Sequence, residues 1–479
     1  GGMKKSFAST VILSLIFAGL LAWYLVYEKK IKPKNTESEE SAKRLVSLDK
    51  SDIQELTVTR MKNAPKEEGG ADPKTPEFET IKLKKTGEDW HLLEPVQDAA
   101  DNSSVTQMIS ELTSIKQDRV VDEKPQSLEP FGLKDPVLKI SARKDASAPA
   151  EEVLVGKNTP VGYSSYAQAT SQGPSIYRIS RSLRTSFDKD AKAIRNKNIV
   201  MVSRFDVAEL EIQNARENIL LKKDDKDHWM LTRDHLPADA NEVNKSLNAI
   251  VDAKADDFVS EDGKRLEEFG LKSPAAKVWL IKKDKSKIGL WIGKLKDKVF
   301  AKREDKATIY QIGADELAML DRPSADYRNL QLAQFNRFDV RRVKLERGKE
   351  VVELLKEGSD WSMPTEPQVK IDPIKVDNLL TSIQDTKISK YLLNNKEGAT
   401  VNQPELVLRL FEKKDAGETE KVTLKFGSRK ANLISVEQAG LGVPILIKQE
   451  DFKKMNLSKQ DFIKVEEKPE SKKEPEKKS

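Results

Sequence analysis

One long apolar stretch, Phe7 to Val26, opens the chain, and beyond Lys29 the pattern changes to short alternating runs separated by polar turns. About twenty residues rising ~1.5 Å each match a ~30 Å hydrocarbon core, so residues 7–27 predict one transmembrane helix. The run is longer than the ~7–15-residue core of a cleaved signal peptide, and Leu20-Leu21-Ala22-Trp23-Tyr24 makes a poor cleavage site, so an uncleaved signal anchor is expected. Ser14, Ala18 and Ala22 lie four apart on one face, a small-residue stripe suited to packing against another membrane helix; the bland reading is chance, since small residues are common in such helices. Lys4 and Lys5 precede the run, Trp23, Tyr24 and Tyr27 end it, and Lys29, Lys30, Lys32 and Lys34 follow, so positive charge flanks both ends. Because long domains cross regardless of flanking charge, the body is expected outside the cytoplasm.

After the anchor, the same string of features occurs three times. Trp90, Trp229 and Trp361 each follow a polar turn (Thr86-Gly87-Glu88-Asp89, Asp224-Asp225-Lys226-Asp227, Glu357-Gly358-Ser359-Asp360) and an alternating run before it, which is a hairpin signal. Asp101, Asp239 and Asp372 then stand before runs of helical spacing: Val105, Met108, Ile109, Leu112; Val243, Leu247, Ile250, Val251; Val376, Leu379, Leu380, Ile383. Aspartate there reads as an N-cap rather than as one of a set of catalytic carboxylates, and Pro373 fits the first helical position. Next come Leu128-Glu129-Pro130-Phe131-Gly132-Leu133-Lys134-Asp135-Pro136 and Leu266-Glu267-Glu268-Phe269-Gly270-Leu271-Lys272-Ser273-Pro274, whereas the third copy keeps only Gln403-Pro404. Two strands follow, the second ending in glycine at Gly156, Gly293 or Gly427, and Gly156 and Gly293 are expected to be turn glycines with positive φ. The joints repeat as well, Arg195-Asn196 before Arg204-Phe205-Asp206-Val207 and Arg328-Asn329 before Arg337-Phe338-Asp339-Val340.

The predicted fold class is therefore α+β: three tandem repeats of a mixed hairpin/sheet-plus-helix module behind one N-terminal transmembrane helix. The expected segments are a cytoplasmic N-terminus over 1–6, with Gly1-Gly2 ahead of Met3 read as an artificial leader, the anchor over 7–27 and a tether over 28–43. Repeats follow over 44–194, 195–327 and 328–465, then a charged tail over 466–479 too polar to order itself. Asn63 to Pro76 reads as a loop insertion in the first repeat.

Composition narrows the chemistry. The chain has no cysteine, which excludes disulfides, thiolate metal sites, thiol nucleophiles and a lipid-modified N-terminal cysteine. His91, His228 and His235 lack metal-ligand spacing. Gly156-Lys157 and Gly293-Lys294 lack the Ser/Thr and the glycine-rich loop of a phosphate-binding motif. Basic and acidic residues, 84 and 78, are interleaved at a net charge of +6, which argues for a mixed solvated surface and against a nucleic-acid face. Tyr163, Tyr166 and Tyr177 could stack on sugars of an envelope polymer or could be strand aromatics packed in a sheet. No catalytic, cofactor-binding or metal-ligating residues are assigned, and a non-enzyme is expected.

Three copies of Trp hairpin and Asp-capped helix, with Phe131 and Phe269 marking the Phe-Gly-Leu strand entry of the first two, resemble the bacterial domain-of-unknown-function family DUF4340. That resemblance implies a single-pass protein of the bacterial inner membrane with its body in the periplasm, associated with a gliding-motility-type ABC transporter. The implied partners are the transporter's permease, ATPase and auxiliary subunits. It carries no catalytic residues, and the decayed Phe-Gly-Leu segment of the third repeat departs from the pattern. The functional expectation is an accessory or scaffold subunit of such a transporter. The alternatives are an envelope polymer- or lipid-binding module and an unrecognised hydrolase.

Overall fold

The computed structural model describes residues 17–25, 43–65, 73, 75–394, 401–414 and 417–465. Residues 17–25 are helical and exposed. Ser14, most of the apolar run, nearly all of the tether and the tail lie outside the described residues. No described helix is long and apolar enough to cross a membrane.

Three all-antiparallel sheets follow one another along the chain. The first is built from β1 (Glu55–Met61), β2 (Phe78–Thr86), β3 (Asp89–Glu94), β4 (Asp98–Ala99), β5 (Arg119–Asp122), β6 (Leu138–Arg143), β7 (Glu151–Asn158), β8 (Ser164–Ala169) and β9 (Ile176–Ser180), in the order β4-β3-β2-β1-β6-β7-β8-β9-β5. Alternation turns Leu56, Val58, Ile81, Leu83, Ile140 and Val153 to one face, where they are buried against helix α1 (Asn102–Ser114) through Val105, Met108, Ile109 and Leu112. The opposite face carries cross-strand pairs such as Lys84 with Glu55 and Lys139 with Glu152. A four-strand meander therefore runs to one edge, α1 carries the chain to the other edge at β5, and β6 re-enters beside β1.

The second sheet repeats this wiring with β10 (Val207–Asn214), β11 (Asn218–Lys223), β12 (Trp229–Leu231), β13 (Leu236–Pro237), β14 (Asp257–Ser260), β15 (Ala276–Lys282), β16 (Lys287–Leu295), β17 (Lys298–Arg303) and β18 (Ile309–Ile312), crossed by α2 (Ala240–Val251). The third has one strand fewer: β19 (Val340–Arg347), β20 (Glu350–Glu357), β21 (Asp360–Ser362), β22 (Lys390–Tyr391), β23 (Leu406–Lys414), β24 (Gly417–Lys430), β25 (Leu433–Gln438) and β26 (Ile445–Lys448), crossed by α3 (Pro373–Asp385). The chain divides into two compact units, Gly1–Asn198 with the first sheet and Ile199–Ser479 with the other two. Within the second unit Leu236 of β13 is buried in the core of the third sheet, so those two modules share packing.

The expectation of turn glycines at Gly156 and Gly293, and of strands ending there and at Gly427, is corrected by the fold. All three lie inside strands, β7, β16 and β24, and none has positive φ. A Cβ on Gly156 would sit 2.2 Å from the carbonyl oxygen of Phe131, and one on Gly293 would sit 2.4 Å from that of Phe269. The Phe-Gly-Leu segment forms a tight turn, with Gly132 and Gly270 at φ 66°, and lies directly across the strand. It can do so only where the strand has no side chain. The third module lacks the Phe-Gly-Leu sequence, and the Val401 side chain fills the space above Gly427, 2.8 Å from where a Cβ would be.

Both ends of every module are clasped to its long helix. On entry, Leu45 N–H donates to Ile115, Ile199 to Ala253 and Leu332 to Thr386. On exit, the backbone N–H groups of Asp101, Asp239 and Asp372 donate to the carbonyls of Ile194, Tyr327 and Phe462, each at 2.8 Å.

Candidate functional site

The aspartates before the helices sit in three different modules. Asp101 accepts from Ser104 N–H at 2.7 Å, Asp239 from Asn241 N–H at 2.8 Å and Asp372 from Ile374 N–H at 2.9 Å. The Ser103 hydroxyl, bonding at 2.6 Å, and then the Ser104 N–H hold the Asp101 carboxyl below the usual range. Each of these carboxylates satisfies the N-terminus of the helix in its own module. Trp90, Trp229 and Trp361 are buried in their respective cores.

Among the described residues no group of three or more His, Asp or Glu side chains could hold a metal. His228 and His235 are exposed and His91 is partly so. The tyrosines of the first module separate: Tyr177 is in the core, Tyr166 packs edge-on against Phe131 at 5.2 Å, and only Tyr163, 64 % exposed, is open, with the Arg181 guanidinium 4.6 Å over its ring. Phe269 makes the corresponding edge contact with Phe300 at 5.2 Å.

Two arginines are buried: Arg184, which donates to Asn158 and to the carbonyl of Pro65 within the first module, and Arg195 at a joint, whose counterpart Arg328 is half-buried. Arg195, 2 % exposed, bonds Asp98 through Nη2 at 2.8 Å, and Arg328 bonds Asp234 at 2.9 Å. In the second unit the Tyr391 hydroxyl donates to the carbonyl of Asn329, tying β22 to the joint, and burial pushes this phenol up to about 12. Tyr327, buried against Ser246 with oxygens 2.7 Å apart, is raised for the same reason.

Two outward-facing features stand out from this framework. The first is repeated: Phe205 and Phe338 are 67 % and 66 % exposed, and each is stacked by the preceding arginine, Arg204 at 4.9 Å and Arg337 at 5.0 Å. The arginines are in turn bonded to the long helices, Arg204 to Asn248 and Arg337 to Thr381. In the first module Ser51 holds the corresponding place ahead of β1. The second feature is confined to the middle module, where half-buried Trp279 and Trp291 lie on the sheet face away from α2. Sequence reasoning passed over both tryptophans; the visible signal was their alternation with the buried Val278, Leu280, Leu290 and Ile292.

The model of one family, described as a domain of unknown function (DUF4340), matches residues 90–236 and again 229–406. Each match begins at a hairpin tryptophan and runs into the following module, out of phase with the sheets. No curated protein and no solved structure matches the chain. With two overlapping matches over about two thirds of its length, the chain belongs to the DUF4340 family.

Proposed function

We propose that this protein is a non-enzymatic, membrane-anchored extracytoplasmic scaffold, acting as an accessory subunit of a gliding-type ABC transporter with its single helix in the bacterial inner membrane. The observation that carries the reading is the repeated Arg-stacked phenylalanine. A phenylalanine left in water forgoes about 1.5–3 kcal/mol of burial, and this chain does so at the same place in two modules. Aromatic and arginine side chains are the residues that anchor protein interfaces, and rings held by a helix-bonded guanidinium are already ordered for contact. Repeated folding residues and repeated contact residues together fit an array that holds partners.

The test is a gentle-detergent pull-down of the full chain from native membranes, with partners identified by mass spectrometry. It runs beside a chain whose residues 7–27 are replaced by an unrelated anchor and beside F205A/F338A. Permease and ATPase subunits should be recovered with the native chain. Loss on anchor replacement would assign the contact to the membrane helix, with Ser14, Ala18 and Ala22 as its packing face, and loss in F205A/F338A would assign it to the knobs. If no membrane protein is recovered with any of the three, the accessory reading is wrong.

A further inference from the structure

From the outer face of the middle sheet we infer that the second module binds an acidic glycan, a pyranose polymer bearing carboxylates, on a platform built around Trp279 and Trp291. The strand registers lay out two adjacent rows. In one, Glu211 stands opposite Trp279 and Trp279 opposite Gly289; in the other, Gln213 stands opposite Lys277, Lys277 opposite Trp291 and Trp291 opposite Lys302. The two indoles are thus diagonal neighbours on paired strands, within reach of one ligand.

Gly289 makes room beside Trp279 for the Glu304 side chain, which lies over it. A Cβ there would lie 3.1 Å from the Trp279 ring and 2.4 Å from a carboxylate oxygen of Glu304, so that carboxylate rests at the indole's edge. Three lysines reach over the rings, Lys287 to Trp279 at 4.7 Å and Lys277 and Lys302 to Trp291 at 5.7 and 5.4 Å. No carboxylate pairs with any of the three among the described residues, although the surface around them is laced with ion pairs such as Lys222 with Glu209 and Arg303 with Asp305.

This set of groups selects its ligand. Trp291 is packed on one side against Leu271, Phe300 and Ile309, and the parts of the two indoles left uncovered offer apolar surface to the C–H face of a sugar ring and attract its polarised hydrogens. The lysines supply charge-assisted donors for carboxylates, and Glu211 and Glu304 accept from hydroxyls. A nucleic acid would also stack on the indoles, but those two carboxylates lie where its phosphates would pass. The other modules lack the platform. At the positions of Trp279 and Trp291 the first module has Ser141 and Leu154 and the third has Arg409 and Lys425. The inference does not rest on the transporter reading, and the two can fail separately.

Affinity electrophoresis of the detergent-solubilised full chain through gels containing polygalacturonate, alginate or dextran, with a gel-shift against a dT20 oligonucleotide, tests it. Polygalacturonate or alginate should retard the chain and dextran should not. W279A/W291A and K277Q/K302Q should each weaken the retardation at least tenfold while melting like the parent. If the tryptophan variant melts early, K277Q/K302Q alone decides. The inference is overturned if neither acidic glycan retards the chain, if both variants that melt like the parent are retarded like it, if dextran retards it equally, or if dT20 binds and the acidic glycans do not.

Discussion

Gly156, Gly293 and Gly427 show how one residue type answers to different neighbours. An added methyl group meets a main-chain oxygen in the first two and a valine side chain in the third. Overpacking costs about 1–3 kcal/mol where neighbours can adjust, and a backbone carbonyl held in a tight turn adjusts least. G156A and G293A should therefore fall at the upper end of that range or beyond, and G427A clearly below them. Denaturant midpoints of the three variants check the order, and equal losses would show that the turn gives way. In the sequence the Phe-Gly-Leu repeat was legible because two copies are nearly identical. The purpose of the strand glycine was not, because it depends on a segment more than twenty residues earlier folding back over it. The same limit hid Trp279 and Trp291, whose outward direction follows from strand register.

At the level of elements, the Trp hairpins and capped helices were readable because each is local: a turn between alternating runs, or an aspartate ahead of a 3.6-residue period. The strands after the helices, Arg119–Asp122, Asp257–Ser260 and Lys390–Tyr391, escaped notice, since two to four residues carry no usable alternation. Their pairing with β9, β18 and β26 is dictated by where the helix delivers the chain. The cap of α1 gives a direct test. D101A should destabilise the first unit by about 1 kcal/mol at neutral pH. The folded carboxyl titrates below its unfolded value, so its contribution is full above the unfolded pKa of about 3.9 and fades as pH falls through the lower folded value. Parent and D101A stabilities, measured by denaturant titration from pH 7 downward, should converge in that acid window; a constant gap would mean that the charge plays no part.

For the molecule as a whole, the second unit should meet an alkaline limit at its internal joint. Tyr391 is neutral when buried and its folded pKa of about 12 exceeds the unfolded value of about 10. Its contribution is therefore complete below pH ~10 and is lost as pH rises toward 12. Y391F should cost about 1 kcal/mol at neutral pH through the lost bond to Asn329, yet lose less stability than the parent between pH 10 and 12. Thermal melts across that range decide it, and parallel curves would place the alkaline limit elsewhere. The paired clasps have a mechanical consequence. Each module is entered at the C-terminal end of its long helix and left at the N-terminal end, so tension along the chain enters and leaves beside the same helix. The strands between are spared until a clasp parts, and a pulled module would yield first at two short backbone contacts and keep its sheet.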